Sequence, residues 1–426
     1  MSDSLLYDVA IIGAGPAGSA AGTQLAKAGL RVVMLEKEKF PRFAIGESLL
    51  PHGNNLLREL GVWPKLEEAG FLRKYGAEFC TGDKSRLRRF WFAQNLGSSC
   101  EYSYQVDRAS FDQLLLNHAR EQGCVVHEEC RVTSIKEPDQ ECMSILCSKP
   151  DRDFEITCRW VVDASGRSGF AGTRLGLRRK NTQQTKRVAI YGHFEGVFRN
   201  SGKAEGHITI ARLAGGWFWI IPLAGNRASV GLVLPAEKIR SGSTSGERDL
   251  ETIFREVVDA TPEVRDRMSR ATPLMPLRAT GDYSWKYSSF ATRRILLTGD
   301  AAGFVDPIFS SGVMLALKSG VRAATLIARA EKSKRALHAW ERITYTHSMS
   351  GWMNQYSRLI GEFYDRAGFE VFMNPAPFLQ IPRSIARIVG GNAQPGLIDQ
   401  LRLLIFHVIC RLQSILPIAP SISSLR

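Results

Sequence analysis

The chain has 426 residues, which is long enough for one large folded unit or for two fused domains with separate cores. Its hydrophobic content of 44% and charged content of 23% are those of an ordinary globular protein and exclude a disordered or low-complexity chain. The formal net charge of +14 would attract an acidic partner or an anionic surface. Aromatic residues are not interleaved with the basic ones, so the sequence indicates no nucleic-acid-binding protein.

The eight cysteines form no Cys-x-x-Cys pair, and most of them fall in strand-like sequence at irregular spacing. This pattern predicts buried, reduced thiols and neither disulfides nor a metal site. The amino terminus has no signal-peptide pattern, because Asp3 and Asp8 flank only a short apolar patch. Together these features predict a cytoplasmic protein.

The best-defined segment begins with a predicted buried strand over Tyr7–Ile12 and continues through a glycine-rich turn into an alanine-rich helix. Gly13 allows the tight turn, Gly15 lets the backbone approach a pyrophosphate, and Gly18 lets the helix pack close to the strand. The helix amino terminus offers N–H groups and a positive dipole to the same anion. Glu36 ends the next strand, where its carboxylate is placed to bind a ribose hydroxyl. These features predict a dinucleotide site.

Two later turns predict further contacts to the same dinucleotide. One begins at Asp163, after a predicted strand over Trp160–Val162, and the other contains Asp300, after a predicted strand over Ile295–Leu297. The carboxyl ends of parallel strands meet at one edge of a sheet, which would bring both turns to the glycine-rich turn. A role for Asp300 as the cap of a helix fits the same sequence.

The remaining elements predict a division of the chain. A helix is predicted from Asp107 to about Gln122, and the loop Phe40–Leu49 is predicted to pack near the cofactor. Strand-like runs occupy the segment from about Arg187 to Leu277, and a long helix is predicted over Gly312–Ala330. The expected units are a nucleotide-binding domain of residues 1–186 and 278–335, a sheet-based substrate domain of residues 187–277 and a helical region of residues 336–426.

This set of turns resembles the glutathione-reductase-type FAD fold shared by flavin monooxygenases, geranylgeranyl reductases and flavin-dependent halogenases. The resemblance implies an α/β (α+β) fold, in which an FAD-binding Rossmann domain carries an inserted β-sheet substrate domain and a helical carboxyl-terminal region. It implies FAD as the cofactor, with Asp300 at the ribityl chain and Arg108 near the ribityl or phosphate groups. The expected cofactor contacts are Gly13, Gly15, Ala17, Gly18, Glu36, Arg42, Arg108, Asp163, Asp300 and Gly312.

The segment Trp217–Pro222 matches the Trp-x-Trp-x-Ile-Pro motif of the flavin-dependent halogenases at every fixed position. The resemblance implies that the indoles of Trp217 and Trp219 stand beside the flavin and keep an organic substrate away from the flavin hydroperoxide. Alternating tryptophans on a strand are also typical of core and rim positions, so the motif alone leaves that alternative open.

Two further features of the sequence concern the binding of halide and the transfer of the halogen. The end of the segment Gly299–Gly312 resembles the halide-binding loop of the family, and Ser311 and Gly312 begin the long helix, where N–H groups and the helix dipole favour an anion. In monooxygenases of this fold, similar N–H groups stabilise a flavin carbonyl. Lys74 matches the halogenase lysine, which implies that it holds hypohalous acid by a hydrogen bond or as a chloramine. A single lysine is more often a surface charge, and Lys84 is a weaker candidate.

One departure from the family pattern bears on the substrate. Tryptophan halogenases carry a glutamate at the position of Phe309. Without that carboxylate the aromatic substrate must supply its own activation, as phenols and pyrroles do. The resemblance therefore implies FADH2- and O2-dependent halogenation of a phenol or pyrrole through a flavin hydroperoxide and hypohalous acid.

The partners follow from the same reasoning. Because the sequence has one dinucleotide fingerprint only, we expect a partner flavin reductase to supply FADH2. The basic surface favours a substrate tethered to an acidic carrier protein, although a solvated face explains the charge equally well. Two other functions fit the sequence: a hydroxylase or geranylgeranyl-reductase-like oxidoreductase on the same fold, and a non-catalytic flavin-binding component of a biosynthetic complex.

The segment Leu401–Leu412 is strongly apolar, but it is too short and too often interrupted by polar residues to span a bilayer. It is predicted to be a packed helix. A helix that docks on a membrane surface or on a partner protein is the alternative, and membrane contact is not favoured.

Overall fold

The computed structural model describes residues 6–96, 101–136, 142–177, 179–181, 186–240, 249–281, 285–375 and 378–425. These residues form two large β-sheets, two small ones and a series of helices that dominates the carboxyl-terminal part. No helix within the described ranges is long and apolar enough to cross a membrane.

The strands are numbered in chain order. Those up to Asp163 are β1 (Leu6–Ile12), β2 (Val32–Leu35), β3 (Leu72–Lys74), β4 (Gly76–Thr81), β5 (Leu87–Trp91), β6 (Ser103–Gln105), β7 (Val125–His127), β8 (Arg131–Lys136), β9 (Met143–Ser148) and β10 (Asp153–Asp163). The later ones are β11 (Arg179–Asn181), β12 (Arg187–Glu195), β13 (Ile208–Arg212), β14 (Trp217–Pro222), β15 (Arg227–Pro235), β16 (Thr272–Pro273), β17 (Arg278–Gly281), β18 (Trp285–Tyr287), β19 (Ile295–Leu297) and β20 (Gly303–Phe304).

The helices are numbered in the same way. Those before Gly312 are α1 (Pro16–Lys27), α2 (Pro51–Leu60), α3 (Trp63–Glu68), α4 (Phe92–Leu96), α5 (Arg108–Glu121), α6 (Phe170–Arg174), α7 (Ala236–Arg240), α8 (Leu250–Asp259) and α9 (Pro262–Met268). The later ones are α10 (Gly312–Lys332), α11 (Ala339–Tyr364), α12 (Arg366–Met373), α13 (Ile381–Val389) and α14 (Leu397–Gln413).

The first sheet has the strand order β7-β2-β1-β10-β9-β8, and β19 also pairs with β10. The pairs of β1 with β2 and β10, of β2 with β7 and of β10 with β19 are parallel. The buried run Tyr7–Ile12 of β1 is apolar at most positions, as expected of a central parallel strand. Because β1, β2, β10 and β19 run in the same direction, the turns that follow them meet at one edge.

The second sheet has the order β16-β12-β15-β14-β13-β4-β5, and β17 also pairs with β12. Strands β12 to β15 come from the predicted substrate domain. Strands β4 and β5 come from the predicted nucleotide-binding segment, and β4 joins β13 in parallel with Ala77 opposite Ile208. Residues 1–186 therefore contribute strands to both large sheets, and the domain boundaries stay a prediction.

The carboxyl-terminal region is helical, and α10 begins at Gly312 as predicted. Helix α14 contains the apolar segment that we expected to be packed. One side of it is buried, with Leu403, Phe406 and Cys410 in the core, while Leu401 on the opposite side is exposed. The prediction of a packed helix is therefore confirmed, and the side of the helix opposite the core is exposed.

Four basic residues lie close together in the sequence and contribute to its net positive charge: Lys84, Arg86, Arg88 and Arg89. Arg89 pairs with the buried carboxylate of Glu78 at 2.5 Å, and Arg88 donates to the backbone carbonyl of Phe372 at 2.8 Å. These contacts use the charges of Arg88 and Arg89 within the fold, whereas Lys84 and Arg86 are exposed. The second cluster, Arg167–Arg187, lies partly outside the described residues.

Candidate active site

A cavity of about 490 Å³ lies where the parallel strands of the first sheet end. Its walls are the turns after β1, β2, β10 and β19, the start of α10, and side chains of β13 and β14 from the second sheet. The predicted residues that line it are Gly13, Gly15, Ala17, Glu36, Arg42, Arg108, Trp217, Trp219, Asp300 and Gly312. The other predicted residues are Gly18, Lys74, Asp163 and Ser311, which lie behind these walls.

The glycine-rich turn after β1 is tightly packed. Gly13 has φ of +96°, and a Cβ atom there would overlap the carbonyl group of Ala164 at the end of β10. A Cβ atom at Gly18 would overlap the carbonyl of Gly13, so any side chain would push α1 away from the strand. Because these backbone segments lie so close together, only glycine fits at Gly13 and Gly18. The amino terminus of α1 faces the cavity at Gly15 and Ala17.

The carboxylate of Glu36 lies at the end of β2 with 4% of the residue exposed. Its Oε2 accepts a 2.8 Å hydrogen bond from the N–H of Ala14, and its Oε1 accepts a 2.9 Å bond from the N–H of Glu38. Backbone donors thus hold this side chain in the cavity wall. Each carboxylate oxygen keeps a second lone pair, which is able to accept a ribose hydroxyl.

Two arginines of the cavity wall share one buried carboxylate. Arg108 donates from Nε and Nη2 to the two oxygens of Asp112 at 2.8 and 2.9 Å, and Nη1 of Arg42 lies 3.3 Å from the same carboxylate. Asp112 is fully buried and was not predicted. The signal that reveals it is the spacing of four residues between Arg108 and Asp112 on a predicted helix. The carboxylate of Asp112 thus holds the guanidinium groups of Arg42 and Arg108 at the cavity, where phosphate groups would bind.

Asp163 does not face the cavity, so the prediction of a direct cofactor contact is corrected. Its Oδ1 accepts a 3.0 Å bond from the N–H of Ser165, and its Oδ2 accepts a 2.6 Å bond from the N–H of Ala171. The carboxylate is fully buried and holds the turn that follows β10. Ala164, Ser165 and their neighbours line the cavity in its place.

Asp300 lies in a short 3₁₀ turn over Gly299–Ala301, directly after β19. Burial raises the pKa of this carboxyl group to about 6, while the positive charges of Arg108 and Arg167 act in the opposite direction. Gly299 has φ of +54°, and a Cβ atom there would lie 3.1 Å from Cβ of Ala17. The turn thus brings Asp300 against the start of α1 and into the cavity.

The donor set of the cavity fits FAD. Gly15 has no side chain to block a pyrophosphate, and the amino terminus of α1 offers N–H groups to it. Glu36 is placed to bind the adenosine ribose. Arg42 and Arg108 add positive charge, and Asp300 adds a carboxyl group that binds hydroxyl groups. Together these residues are able to hold both the nucleotide and the flavin-bearing half of the cofactor.

Trp217 and Trp219 lie on the same face of β14, as residues two apart on a strand do, and both line the cavity. Their ring centroids are 5.8 Å apart. The indole N–H of Trp219 donates to the hydroxyl of Ser229 at 3.1 Å, and that of Trp217 donates to the hydroxyl of Tyr364 at 2.7 Å. The pair forms a rigid aromatic wall of the cavity.

The start of α10 faces the same cavity. Asp306 begins the preceding 3₁₀ turn, Ser310 takes φ of +55°, and the helix starts at Gly312. Ser310 and Gly312 line the cavity, whereas Ser311 is buried behind them. The side chain of Ser311 is therefore not placed to bind an anion there, and only the backbone N–H groups of the first helical turn suit that function.

Lys74 ends β3 with 1% of the residue exposed. Its ammonium donates to Oγ of Ser48 at 2.8 Å and to the carbonyl of Leu49 at 3.0 Å. Burial lowers the pKa of this group from its usual 10.5 to about 7. Ser48 lines the cavity, so Lys74 lies one side chain behind its wall.

The competing lysine has a different environment. Lys84 is exposed and forms an ion pair with Asp266 on the protein surface. The burial of Lys74 favours the neutral form of its amine, and Lys84 has no such burial. Of the two lysines, Lys74 is the one with the environment of a reactive amine.

Phe309 stands where the resemblance to tryptophan halogenases implies a glutamate. Its ring packs among Phe79, Phe363 and Phe372, with centroid distances of 5.9 to 6.1 Å. The residue is 2% exposed and belongs to the core between the second sheet and the carboxyl-terminal helices. At this position the chain thus supplies an aromatic core residue and no carboxylate.

Sequence reasoning also missed a pair formed by the buried Glu47 and the partly buried His193. Oε1 of Glu47 lies 2.7 Å from Nε2 of His193, and Glu47 lines the cavity beside Ser48. The two residues are 146 positions apart, on a loop and on β12, so no local pattern connects them. The polar segment around Glu47, which is interrupted by Gly46 and Pro41, predicts only a loop near the cofactor.

Comparison with known proteins identifies the class. The profile of a family described as "FAD binding domain" matches residues 6–347, which cover most of the chain. Relatives over this range include several named flavin-dependent halogenases. The chain belongs to the flavin-dependent halogenase family, its cofactor is FAD, and it is an enzyme of the flavoprotein oxidoreductase type. The predicted family, fold class and cofactor are confirmed.

Three similar proteins illustrate the likeness. The chain is 32% identical over 363 residues to the 1H-pyrrole-2-carbonyl-[peptidyl-carrier protein] chlorinase of Pseudomonas fluorescens, which covers 80% of this chain and 79% of the relative. The solved structure of the flavin-dependent brominase Bmp2 superimposes with a TM-score of 0.82 at 28% identity, covering 96% of this chain and all of the other. A flavoprotein/dehydrogenase from Cytophaga hutchinsonii gives a TM-score of 0.85 at 28% identity, with coverage of 96% and 100%.

Proposed function

We propose that this enzyme halogenates a pyrrole or phenol ring and that Lys74 delivers the halogen. The observation that carries the proposal is the buried amine of Lys74, with its pKa lowered to about 7, one side chain behind the wall of the cofactor cavity. Bound FAD, once reduced, supplies with O2 the oxidising power that converts halide to hypohalous acid. The chain's own residues then bind the halide, exclude the substrate from the cofactor and direct the electrophile.

The amino terminus of α10 is the proposed halide site. The backbone at Gly312 faces the cavity, and the N–H groups of a first helical turn carry a partial positive charge. Ser310 and Trp217 line the same cavity, so an anion at this place would stand between polar backbone and aromatic wall. We infer that the helix end holds halide near the oxidising centre.

Lys74 has two chemical routes to the same outcome. As an ammonium it donates a hydrogen bond to hypohalous acid and polarises it. As a neutral amine it attacks the halogen, so that an N–halogen bond forms while the O–halogen bond breaks, and the hydroxide leaves as water with a proton from the amine. A pKa near 7 makes both forms available at neutral pH. Its contacts with Ser48 and Leu49 fix the direction of the amine in either form.

The proposed substrate class rests on Phe309. Since the chain has no carboxylate at this position, the ring must be electron-rich by itself, as in a pyrrole or an ionised phenol. The related chlorinase is named for a pyrrole-2-carbonyl group bound to a peptidyl carrier protein. We propose the same presentation here, because a net charge of +14 complements an acidic carrier protein.

Two further parts of the proposal concern the source of reduced FAD and the compartment of the protein. We infer a separate flavin reductase as the source of reduced FAD, because the sequence has a single dinucleotide fingerprint. We also infer a cytoplasmic, reducing environment, which is supported by the free thiols of the described cysteines.

The test combines the enzyme with FAD, a flavin reductase, NADH, O2 and either chloride or bromide. The substrate panel holds free phenols, free pyrrole-2-carboxylate and pyrrole-2-carbonyl groups on a carrier protein. We expect a halogenated product by mass spectrometry, formed fastest from the carrier-bound ring. Oxygenated products without halogenated ones would contradict the proposed reaction, and equal rates for free and bound rings would contradict the tethering.

A further inference from the structure

Helix α14 and the segment after it expose a long apolar surface. Half of the large hydrophobic side chains that the described chain exposes lie between Leu397 and Ile418. Leu397 is 84% exposed and Ile415 is 78% exposed. Monomeric proteins seldom leave a continuous apolar patch of this kind uncovered. We name as the α14 face the exposed side chains Leu397, Leu401, Leu404, Val408, Leu412 and Ile415.

The exposed apolar side chains of α14 lie along one side of the helix. With about 100° between successive residues, the members of the α14 face from Leu397 to Leu412 fall within a sector of about 80°. The exposed Ile398 lies about 40° beyond one edge of this sector. Arg411 borders the sector on one side and Arg402 on the other. The opposite side holds the buried Leu403 and Phe406. The α14 face is therefore an outward apolar stripe with an arginine along each edge.

Beyond Asp399, the charged residues of the chain are all basic. Between residue 400 and residue 426 the sequence has no aspartate or glutamate. The last acid before it, Asp399, is buried and bound by Ser384 at 2.6 Å and by Arg387 at 2.6 Å. Nη1 of Arg402 also lies 3.6 Å from this carboxylate, and the Arg402 side chain is 22% exposed. Arg387, Arg402 and Arg411 together outnumber the single carboxylate, so the charge beside the stripe is net positive and would meet an anionic surface favourably.

The composition of the stripe favours lipid over protein. Its exposed members are leucine, isoleucine and valine, whereas the centres of protein interfaces are enriched in aromatic residues and methionine. A second copy of this chain would bring Arg402 and Arg411 towards their own equivalents and would oppose two net charges of +14. A bilayer needs no shape complementarity and covers a straight stripe along its whole length.

We propose that the α14 face binds the surface of an anionic phospholipid membrane. The aliphatic side chains enter the boundary between head groups and acyl chains, and Arg402 and Arg411 extend to the phosphate groups. The attachment is peripheral, with the helix lying along the surface. This inference is independent of the reaction proposed above, because none of these residues lines the cofactor cavity.

The test uses the full chain and sedimentation with vesicles of phosphatidylcholine, either pure or mixed with phosphatidylglycerol. We expect binding at least about tenfold tighter to the mixed vesicles, with loss at high salt. The triple variant Leu401→Gln, Leu404→Gln, Val408→Gln should bind at least tenfold more weakly. Ile343→Gln is the matched control, because Ile343 is a 68% exposed aliphatic residue on another helix, and it should bind as the wild type does.

Three results would overturn the proposal. The first is absence of binding to the mixed vesicles, and the second is equal binding by the triple variant and the wild type. The third is a dimer, or a complex with an acidic carrier protein, that the triple variant abolishes while vesicle binding is unaffected. Thermal unfolding of all variants checks that the exposed substitutions leave the fold intact.

Discussion

The indole N–H of Trp217 donates a hydrogen bond of 2.7 Å to the hydroxyl of Tyr364, which donates in turn to Oδ2 of Asp306 at 2.8 Å. Oδ1 of Asp306 accepts from the N–H of Ile308 at 3.2 Å, in the turn that leads to α10. Burial, followed by the charge of Asp306, raises the pKa of Tyr364, so its proton stays in place. A residue of α11 thus joins the aromatic wall to the proposed halide site.

Tyr364→Phe removes this connection with little change in shape. It removes the acceptor of the buried Trp217 N–H and the donor to Oδ2 of Asp306, which costs about 1–3 kcal/mol of unfolding free energy. We expect FAD to bind as before, while the ratio of halogenated product to oxidised FADH2 falls. Denaturant unfolding and product analysis per FADH2 measure the two effects.

The control for this variant is Tyr356→Phe, which removes another buried hydroxyl of α11. That hydroxyl donates to the carbonyl of Ile388 at 3.3 Å and is not connected to the cavity. It should lower stability without changing the product ratio. If both variants change the ratio equally, Tyr364 has only a structural role.

Lys74→Met replaces the amine by an apolar chain of similar length. We expect halogenation to fall by about 10² to 10⁴, the range for loss of a positioned proton-transfer group. FAD binding and the oxidation of FADH2 by O2 should persist, because Lys74 does not line the cofactor cavity. Product formation and oxygen consumption are measured together.

Lys84→Met is the matched control, since it removes an exposed, ion-paired amine of the same chemistry. It should keep full activity and lose at most about 1 kcal/mol of stability. Halogenation that survives Lys74→Met would remove this residue from the mechanism.

The lowered pKa of Lys74 also predicts how stability depends on pH. Between about 7 and 10.5 the unfolded chain carries one more proton at this lysine than the folded chain does. Stability from this group therefore rises with pH across that window, and its charge destabilises the fold most below pH 7. Lys74→Met lacks this dependence, so the wild type should gain a few kcal/mol relative to the variant between pH 7 and pH 10. Urea unfolding at several pH values measures the difference, and a constant difference would contradict the assignment.

Gly312→Ala tests the proposed halide site. A Cβ atom at Gly312 would meet no protein atom within 4 Å, so the methyl group enters open space at the cavity without strain. We expect it to crowd the anion and raise KM for chloride about tenfold, the scale of a helix-end contact.

Gly361→Ala is the control, because a Cβ atom there also meets nothing within 4 Å, on helix α11. It should leave the halide dependence unchanged and slightly stabilise the helix. An unchanged KM for chloride in Gly312→Ala would exclude the helix start as the halide site.

Local patterns in the sequence predicted the parts of the site that depend on local structure. The turn at Gly13, the acid Glu36, the paired Trp217 and Trp219 and the start of α10 at Gly312 each follow from the periodicity or motif of a short segment. For Asp163, the sequence predicted the correct turn but not that its carboxylate binds its own backbone.

The contacts that the sequence did not predict join distant segments. Strand β4 pairs with β13 across more than 100 residues, Lys74 meets Ser48 through a loop, and Trp217 meets Tyr364 on α11. Such contacts depend on tertiary packing, which has no local pattern. The exposure of Leu401 belongs to the same class, because an apolar segment has the same sequence whether it is covered or not.

The most direct test of the proposed mechanism is a single-turnover experiment with the FADH2-loaded enzyme, O2, bromide and a pyrrole substrate. The measured quantity is the amount of brominated pyrrole per FADH2 oxidised, for the wild type and for Lys74→Met. We predict that the wild type forms brominated pyrrole. Lys74→Met should oxidise the same amount of FADH2 and form almost no brominated pyrrole. Equal yields of brominated pyrrole from the two proteins would contradict it.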